Sequence, residues 1–145
     1  MKFMLALVLS GAFCVEASAC SCPSFSFDEF VDNAGEIYLA RLKEAKLVDT
    51  DPKLAWPIIH ARFEVRQTLK GAPHTGDMTL TTGLGGGDCG VPMLVAATYI
   101  IFKNAGDTGI GDCDGSRALT SLEQTDTVAK VQAAMKRRRA HKALK

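Results

Sequence analysis

The sequence lacks a hydrophobic run long enough to cross a bilayer. A membrane-spanning helix needs about 20 consecutive apolar residues. Residues 91–102 do not provide them, because Pro92 and Thr98 interrupt the run, and the N-terminal apolar run at residues 3–15 is too short. We therefore expect no transmembrane segment in this chain of 145 residues.

Recognisable catalytic motifs are missing as well. The three histidines, His60, His74 and His141, are scattered and form no H-E-x-x-H zinc motif. Ser116 lies outside any G-x-S-x-G nucleophile motif, and residues 112–115 lack the ligand series of an EF-hand. We predict that the protein is not an enzyme and that it has no cofactor or metal ion of its own.

A glycine-rich stretch at residues 85–90 matches the dinucleotide-binding pattern G-x-G-x-x-G. That pattern should open a helix, whereas Pro92 and a β-branched run follow here, and Cys89 is expected in a disulfide. We interpret the stretch as a flexible connector.

Charge of one sign is concentrated only at the C-terminus. The net charge is +1, but residues 136–145 hold six Lys or Arg and no acid, whereas residues 20–135 hold ten Lys or Arg against fifteen Asp or Glu. Basic runs can contact nucleic acid, anionic lipid or an acidic partner, but most are solvated helix ends. We assign residues 139–145 as a solvated basic tail and expect no nucleic-acid partner.

The N-terminus has the features of a secretory signal peptide in their usual order: Lys2, the apolar run and the small-residue step Ala17-Ser18-Ala19. Cleavage after Ala19 predicts a signal peptide at residues 1–19 and a mature chain that begins at Cys20. The protein would then be secreted or located in the periplasm or cell envelope. The alternative is a lipobox with a lipid anchor at Cys20, although Ala17 stands where a lipobox usually has Leu.

Four cysteines remain in the mature chain: Cys20, Cys22, Cys89 and Cys113. In an exported chain they predict two disulfides, for which three connectivities are possible. Cys20 and Cys22 are too close along the chain to bridge without strain, so each is expected to reach a distant partner. The bridges would fix the N-terminus of the mature chain to its body.

Alternation of apolar and polar residues predicts strands. The alternation is present at residues 36–48 and 58–69, and three further strands are expected at residues 77–82, 96–102 and 117–120. A capping box of Ser26 and Glu29 predicts a short helix before the first strand. These elements in one domain of residues 20–138 predict a mainly β fold, a five-stranded Greek-key barrel of the oligonucleotide-binding (OB) type.

A C-terminal helix is expected from about residue 121. Two overlapping capping boxes can start it, Thr120 with Glu123 or Ser121 with Gln124. The apolar residues expected to share its buried face are Leu122, Val128, Val131 and Met135.

The order of several short motifs resembles the netrin-like module, and most of all the inhibitory domain of tissue inhibitors of metalloproteinases. The motifs are Cys-x-Cys at residues 20–22, Leu69-Lys70-Gly71, Cys89-Gly90, a strand at 97–101 and a final Cys113. The resemblance covers roughly residues 20–138. It implies a five-stranded barrel in which Cys20 pairs with Cys89 and Cys22 with Cys113.

The resemblance also implies a function, the inhibition of zinc metalloendopeptidases. Once Cys20 is the first residue, its amine and carbonyl oxygen would chelate the zinc of the protease and displace the attacking water. The implied contacts with the protease are Ser21, Cys22, Pro23, Gly87 and Asp88. Pro23 and the small connector residues depart from the family pattern. A second hypothesis is therefore an exported netrin-like binding or structural module of the cell envelope without a protease target.

Overall fold

The computed structural model describes residues 20–48, 57–85 and 87–144, so the predicted signal peptide and Gly86 lie outside the described residues. The protein is mainly β, as the alternation predicts. Its elements are α1 (Phe27–Asn33), β1 (Glu36–Val48), β2 (Ile58–Lys70), β3 (Gly76–Thr82), β4 (Thr98–Lys103), a 3₁₀ turn (Asp112–Asp114), β5 (Arg117–Leu119) and α2 (Ser121–Ala143). No helix within these described ranges is both long enough and apolar enough to cross a membrane.

The five strands form one antiparallel sheet in the order β3-β2-β1-β4-β5. A long connection returns β4 to the side of β1, which is the Greek-key arrangement. The prediction of a closed barrel is wrong. Among the described residues, the contact between β3 and the chain ahead of β5 is an isolated parallel bridge from Thr81 to Gly109. The ladder goes no further because the chain turns into the 3₁₀ helix, and the three residues of β5 pair with β4.

Strand β4 is buried on both faces and divides the core into two clusters. Tyr99 and Ile101 pack on one side with residues of β1, β2 and β3. Ile100 and Phe102 pack on the other side against residues from both helices. Fully burying each large apolar side chain contributes roughly 1.5–3 kcal/mol, so these two clusters fix the sheet and the helices relative to each other.

Side-chain contacts hold both ends of helix α1, a local one at its start and a distant one at its end. The Ser26 hydroxyl accepts a hydrogen bond from the Glu29 amide, and the Glu29 carboxylate accepts one from the Ser26 amide. At the other end, the Lys70 ammonium donates to the carbonyl oxygens of Val31 and Ala34. The Leu69-Lys70-Gly71 stretch therefore ties the end of β2 to the end of α1.

Helix α2 begins with the capping box of Thr120 and Glu123. Val131 is fully buried, with Val128 and Met135 packed beside it. The placement of Leu122 on this face is wrong, because its side chain is 89% exposed. At 3.6 residues per turn, Leu122 lies about 180° around the helix from Val131.

The helix continues to Ala143, well into the predicted basic tail. The Arg137 guanidinium donates to both carboxylate oxygens of Asp28, at 2.7–3.0 Å. Arg138 donates to the Asp32 carbonyl oxygen at 2.9 Å. These contacts join the end of α2 to α1. The contact of Arg137 with Asp28 is an exposed ion pair, so it is expected to contribute at most about 1 kcal/mol.

Candidate functional site

The connector at residues 83–90 is a loop organised by the carboxylate of Asp88. One oxygen accepts a hydrogen bond from the Leu84 amide at 2.6 Å, and the other accepts from the amides of Gly85 and Gly90 at 2.8 and 3.0 Å. These backbone hydrogen bonds, the one from Leu84 most of all, hold the pKa of Asp88 below its usual range. The Asp88 side chain therefore binds its own loop.

Two glycines let the loop cross itself. A Cβ atom added at Gly90 would lie 2.3 Å from the carbonyl carbon of Gly83, and one added at Gly83 would lie 2.4 Å from a carboxylate oxygen of Asp88. Both distances are far below van der Waals contact, and the obstacle at Gly90 is backbone. Gly83 and Gly90 are thus required by close packing within the connector.

We expect Gly90→Ala to destabilise the protein. The added methyl group must displace the backbone of Gly83, and overpacking of this kind costs about 1–3 kcal/mol. Gly109→Ala is the matched control, because a Cβ atom there meets only the Thr81 hydroxyl, at 3.7 Å. Urea unfolding midpoints measure both effects. Equal urea midpoints for Gly90→Ala and Gly109→Ala would show that Gly90 is not closely packed against the backbone of Gly83.

A second loop, residues 111–116, lies beside the connector. The Asp114 carboxylate accepts hydrogen bonds from the amides of Gly111 and Ser116, both at 2.8 Å. Burial raises the pKa of Asp114. The buried Ser116 hydroxyl accepts from the Phe102 amide at 3.0 Å and donates to the Phe102 carbonyl oxygen at 3.2 Å. Ser116 thereby fixes this loop to β4.

A backbone hydrogen bond joins the two loops directly. The Asp112 amide donates to the Cys89 carbonyl oxygen at 2.8 Å. A Cβ atom at Gly111 would lie 3.0 Å from the same oxygen, which shows how closely the loops approach. Cys89 itself has a φ of 56°, in the left-handed region that few non-glycine residues adopt. As a result, Cys89 and Cys113 stand on neighbouring segments.

The N-terminal segment is fixed to these loops by two disulfides. Cys20 is bonded to Cys89 with a Cα–Cα distance of 5.2 Å, and Cys22 is bonded to Cys113 with a Cα–Cα distance of 5.0 Å. This is the connectivity that the resemblance implies. Ser21 is left exposed between the two attachment points.

The remaining residues that were predicted to contact the protease differ in their exposure to solvent. Pro23 and Gly87 are exposed, while Asp88 is half-buried and occupied within the connector. Next to Pro23, the Phe25 ring meets the Phe30 ring edge-on, with 5.6 Å between ring centroids. The N-terminal segment is therefore supported on α1 as well as on the two loops.

Sequence reasoning missed one exposed apolar residue of the connector. Leu84 is 48% exposed although it lies in the loop that Asp88 organises. A large apolar residue inside a glycine-rich stretch, with no alternating neighbours to place it in a strand, is the signal that would have found it. Leu84 is thus the bulkiest side chain that this part of the connector presents to solvent.

The sulfur atoms of Cys20, Cys22, Cys89 and Cys113 all lie within 4.8 Å of one another. Besides the bonded pairs, the Cys20 and Cys22 sulfurs are 3.7 Å apart, and the Cys20 and Cys113 sulfurs are 3.9 Å apart. Three segments that are distant in the sequence therefore deliver four sulfurs to one place.

Comparison with known proteins assigns no family to this chain. No protein-family model matches the chain, and a search of curated proteins finds no significant similarity.

Proposed function

We propose that the mature protein inhibits zinc endopeptidases through the N-terminal residue Cys20. In the full chain the Cys20 nitrogen is a peptide amide joined to Ala19. Cleavage after Ala19 converts it to an amine, which forms a five-membered chelate with the carbonyl oxygen of the same residue around one metal ion. A catalytic zinc keeps an open position for water, and this chelate occupies it.

The observation that supports this proposal is the double anchorage of the Cys-Ser-Cys segment. Each cysteine is bonded to a different loop, and the two loops are held to each other by the hydrogen bond from Asp112 to Cys89. A segment fixed in this way loses little freedom on binding, whereas a loose one pays about 0.5–1.5 kcal/mol for each side chain that becomes ordered. Exposed Ser21 then contacts the protease pocket beside the zinc.

Exposed Leu84 extends the binding surface in this proposal. It lies in the same connector as Cys89, to which Cys20 is bonded. An exposed apolar side chain provides area that can be desolvated on contact with a protease groove. Leu84 takes the contact role that the sequence assigned to Asp88.

A binding or structural module of the cell envelope is the second candidate. It is favoured by the connector, in which the Asp88 carboxylate is occupied by three amides and Gly87 has no side chain. A loop of this kind offers few groups for a specific protease contact. In this alternative the disulfides serve only to stabilise the exported domain. A lipid anchor on the Cys20 thiol would exclude the bridge from Cys20 to Cys89, so an anchored form would keep only the bridge from Cys22 to Cys113.

Purified exported protein, with its N-terminal residue identified by mass spectrometry, tests the proposal. We expect stoichiometric inhibition of at least one member of a panel of zinc endopeptidases, and no inhibition of serine proteases, which have no metal to chelate. A protein that begins at unmodified Cys20 and inhibits no zinc enzyme would contradict the proposal. An acylated Cys20 would instead favour the envelope module.

A further inference from the structure

We propose that Cys20, Cys22, Cys89 and Cys113 form a four-thiolate binding site for Zn²⁺ in the reduced chain. The observation is the convergence of their four sulfur atoms within 4.8 Å. This site is independent of the proposed inhibition, which uses the nitrogen and oxygen of Cys20 with both disulfides formed.

The spacing of the sulfurs matches the coordination geometry of zinc. A Zn–S distance of about 2.3 Å in a tetrahedral site places neighbouring sulfurs about 3.8 Å apart. The two non-bonded separations that involve Cys20 are 3.7 and 3.9 Å. In the proposed site, the two bonded pairs open to the same spacing once the disulfides are reduced.

Half of the site is held in place by contacts that do not involve sulfur. Cys89 and Cys113 lie on loops that are joined by the hydrogen bond from the Asp112 amide to the Cys89 carbonyl oxygen. The carboxylates of Asp88 and Asp114 each organise one of these loops through backbone amides. Two thiols therefore stay adjacent when the bridges open, and the Cys-Ser-Cys segment supplies the other two.

Thiol chemistry interconverts the disulfide-bonded form and the zinc-bound form of the chain. Before the bridges form, a newly exported chain already carries the four thiols. In the oxidised protein, a phosphine reductant with one water cleaves each disulfide to two thiols and is itself converted to the phosphine oxide. Zn²⁺ binding then releases the thiol protons, since the ligands are thiolates. Metal and disulfides therefore exclude each other.

Cobalt(II) titration of the phosphine-reduced protein under argon provides the test, because tetrahedral cobalt thiolates have a charge-transfer band and intense visible bands. We expect one Co²⁺ per reduced chain, displacement of Co²⁺ by Zn²⁺, and no such bands from oxidised protein. Cys113→Ser should weaken Zn²⁺ binding by at least about tenfold, because loss of even an outer-shell partner commonly costs about 10–100-fold. Ser24→Ala, in the same exposed segment, is the matched control and should bind as the parent does.

The proposal is overturned if the reduced protein shows no four-sulfur cobalt spectrum, or if Cys113→Ser binds Zn²⁺ as tightly as Ser24→Ala. Thiol alkylation gives a second readout that does not depend on cobalt. Stoichiometric Zn²⁺ should slow alkylation of all four cysteines in the parent, and equal alkylation rates with and without Zn²⁺ would also overturn the proposal.

Discussion

Insertion of one alanine before Cys20 is expected to abolish inhibition of zinc endopeptidases. The insertion converts the Cys20 nitrogen back to a peptide amide, which binds zinc poorly, and moves the new amine out of chelating reach. Loss of a bidentate chelate should cost several kcal/mol, and each 1.4 kcal/mol is about tenfold in affinity. We therefore expect inhibition to weaken by at least about a hundredfold, measured by titrating both proteins against the same protease.

Two controls separate this effect from damage to the fold. The inserted protein should keep both disulfides and the urea midpoint of the parent, because the change precedes the first anchored residue. Ser21→Gly should weaken inhibition by much less, since it alters one contact with the protease pocket and leaves the amine in place. If the extended protein inhibits as well as the parent, zinc chelation by Cys20 is excluded.

Removal of the bridge from Cys20 to Cys89 is expected to lower the free energy of unfolding by about 4 kcal/mol in the chain-entropy model. This bridge joins residues that are separated by 69 positions in the sequence. The bridge from Cys22 to Cys113 joins residues that are separated by 91 positions. Because domains of this size are stable by about 5–15 kcal/mol, one bridge is a large share of the total. Urea unfolding of Cys20→Ala/Cys89→Ala measures the loss.

The double variant Cys22→Ala/Cys113→Ala is the matched comparison, with a similar expected loss and no change at residue 20. An alanine in first position retains an N-terminal amine and a carbonyl oxygen, so Cys20→Ala/Cys89→Ala preserves the chelating atoms while releasing their anchor. Weaker inhibition by this folded variant would therefore measure the benefit of rigidity. Midpoints that match the parent in both variants would contradict a stabilising role for the bridges.

Local rules in the sequence determined the elements of this fold. Period-two alternation placed β1 and β2, and two capping boxes placed the starts of both helices. Strand β4 begins at Thr98, two residues later than predicted, because Ala96 has a φ of 71°. The pairing of Ala96 and Ala97 with Leu42 is consequently irregular. The start of β4 depends on its pairing with β1, and the pattern of residues within one segment does not describe that pairing.

Tertiary contacts alone decided the features that bear on function. Asp88 looked like an exposed contact residue, but three amides of its folded loop surround its carboxylate. The gathering of four sulfurs within 4.8 Å follows from the approach of two loops that the sequence keeps apart. Period and propensity describe single strands and helices, whereas the loop around Asp88 and the sulfur cluster depend on backbone approaches that neither rule describes, and that is why the folded chain had to decide them.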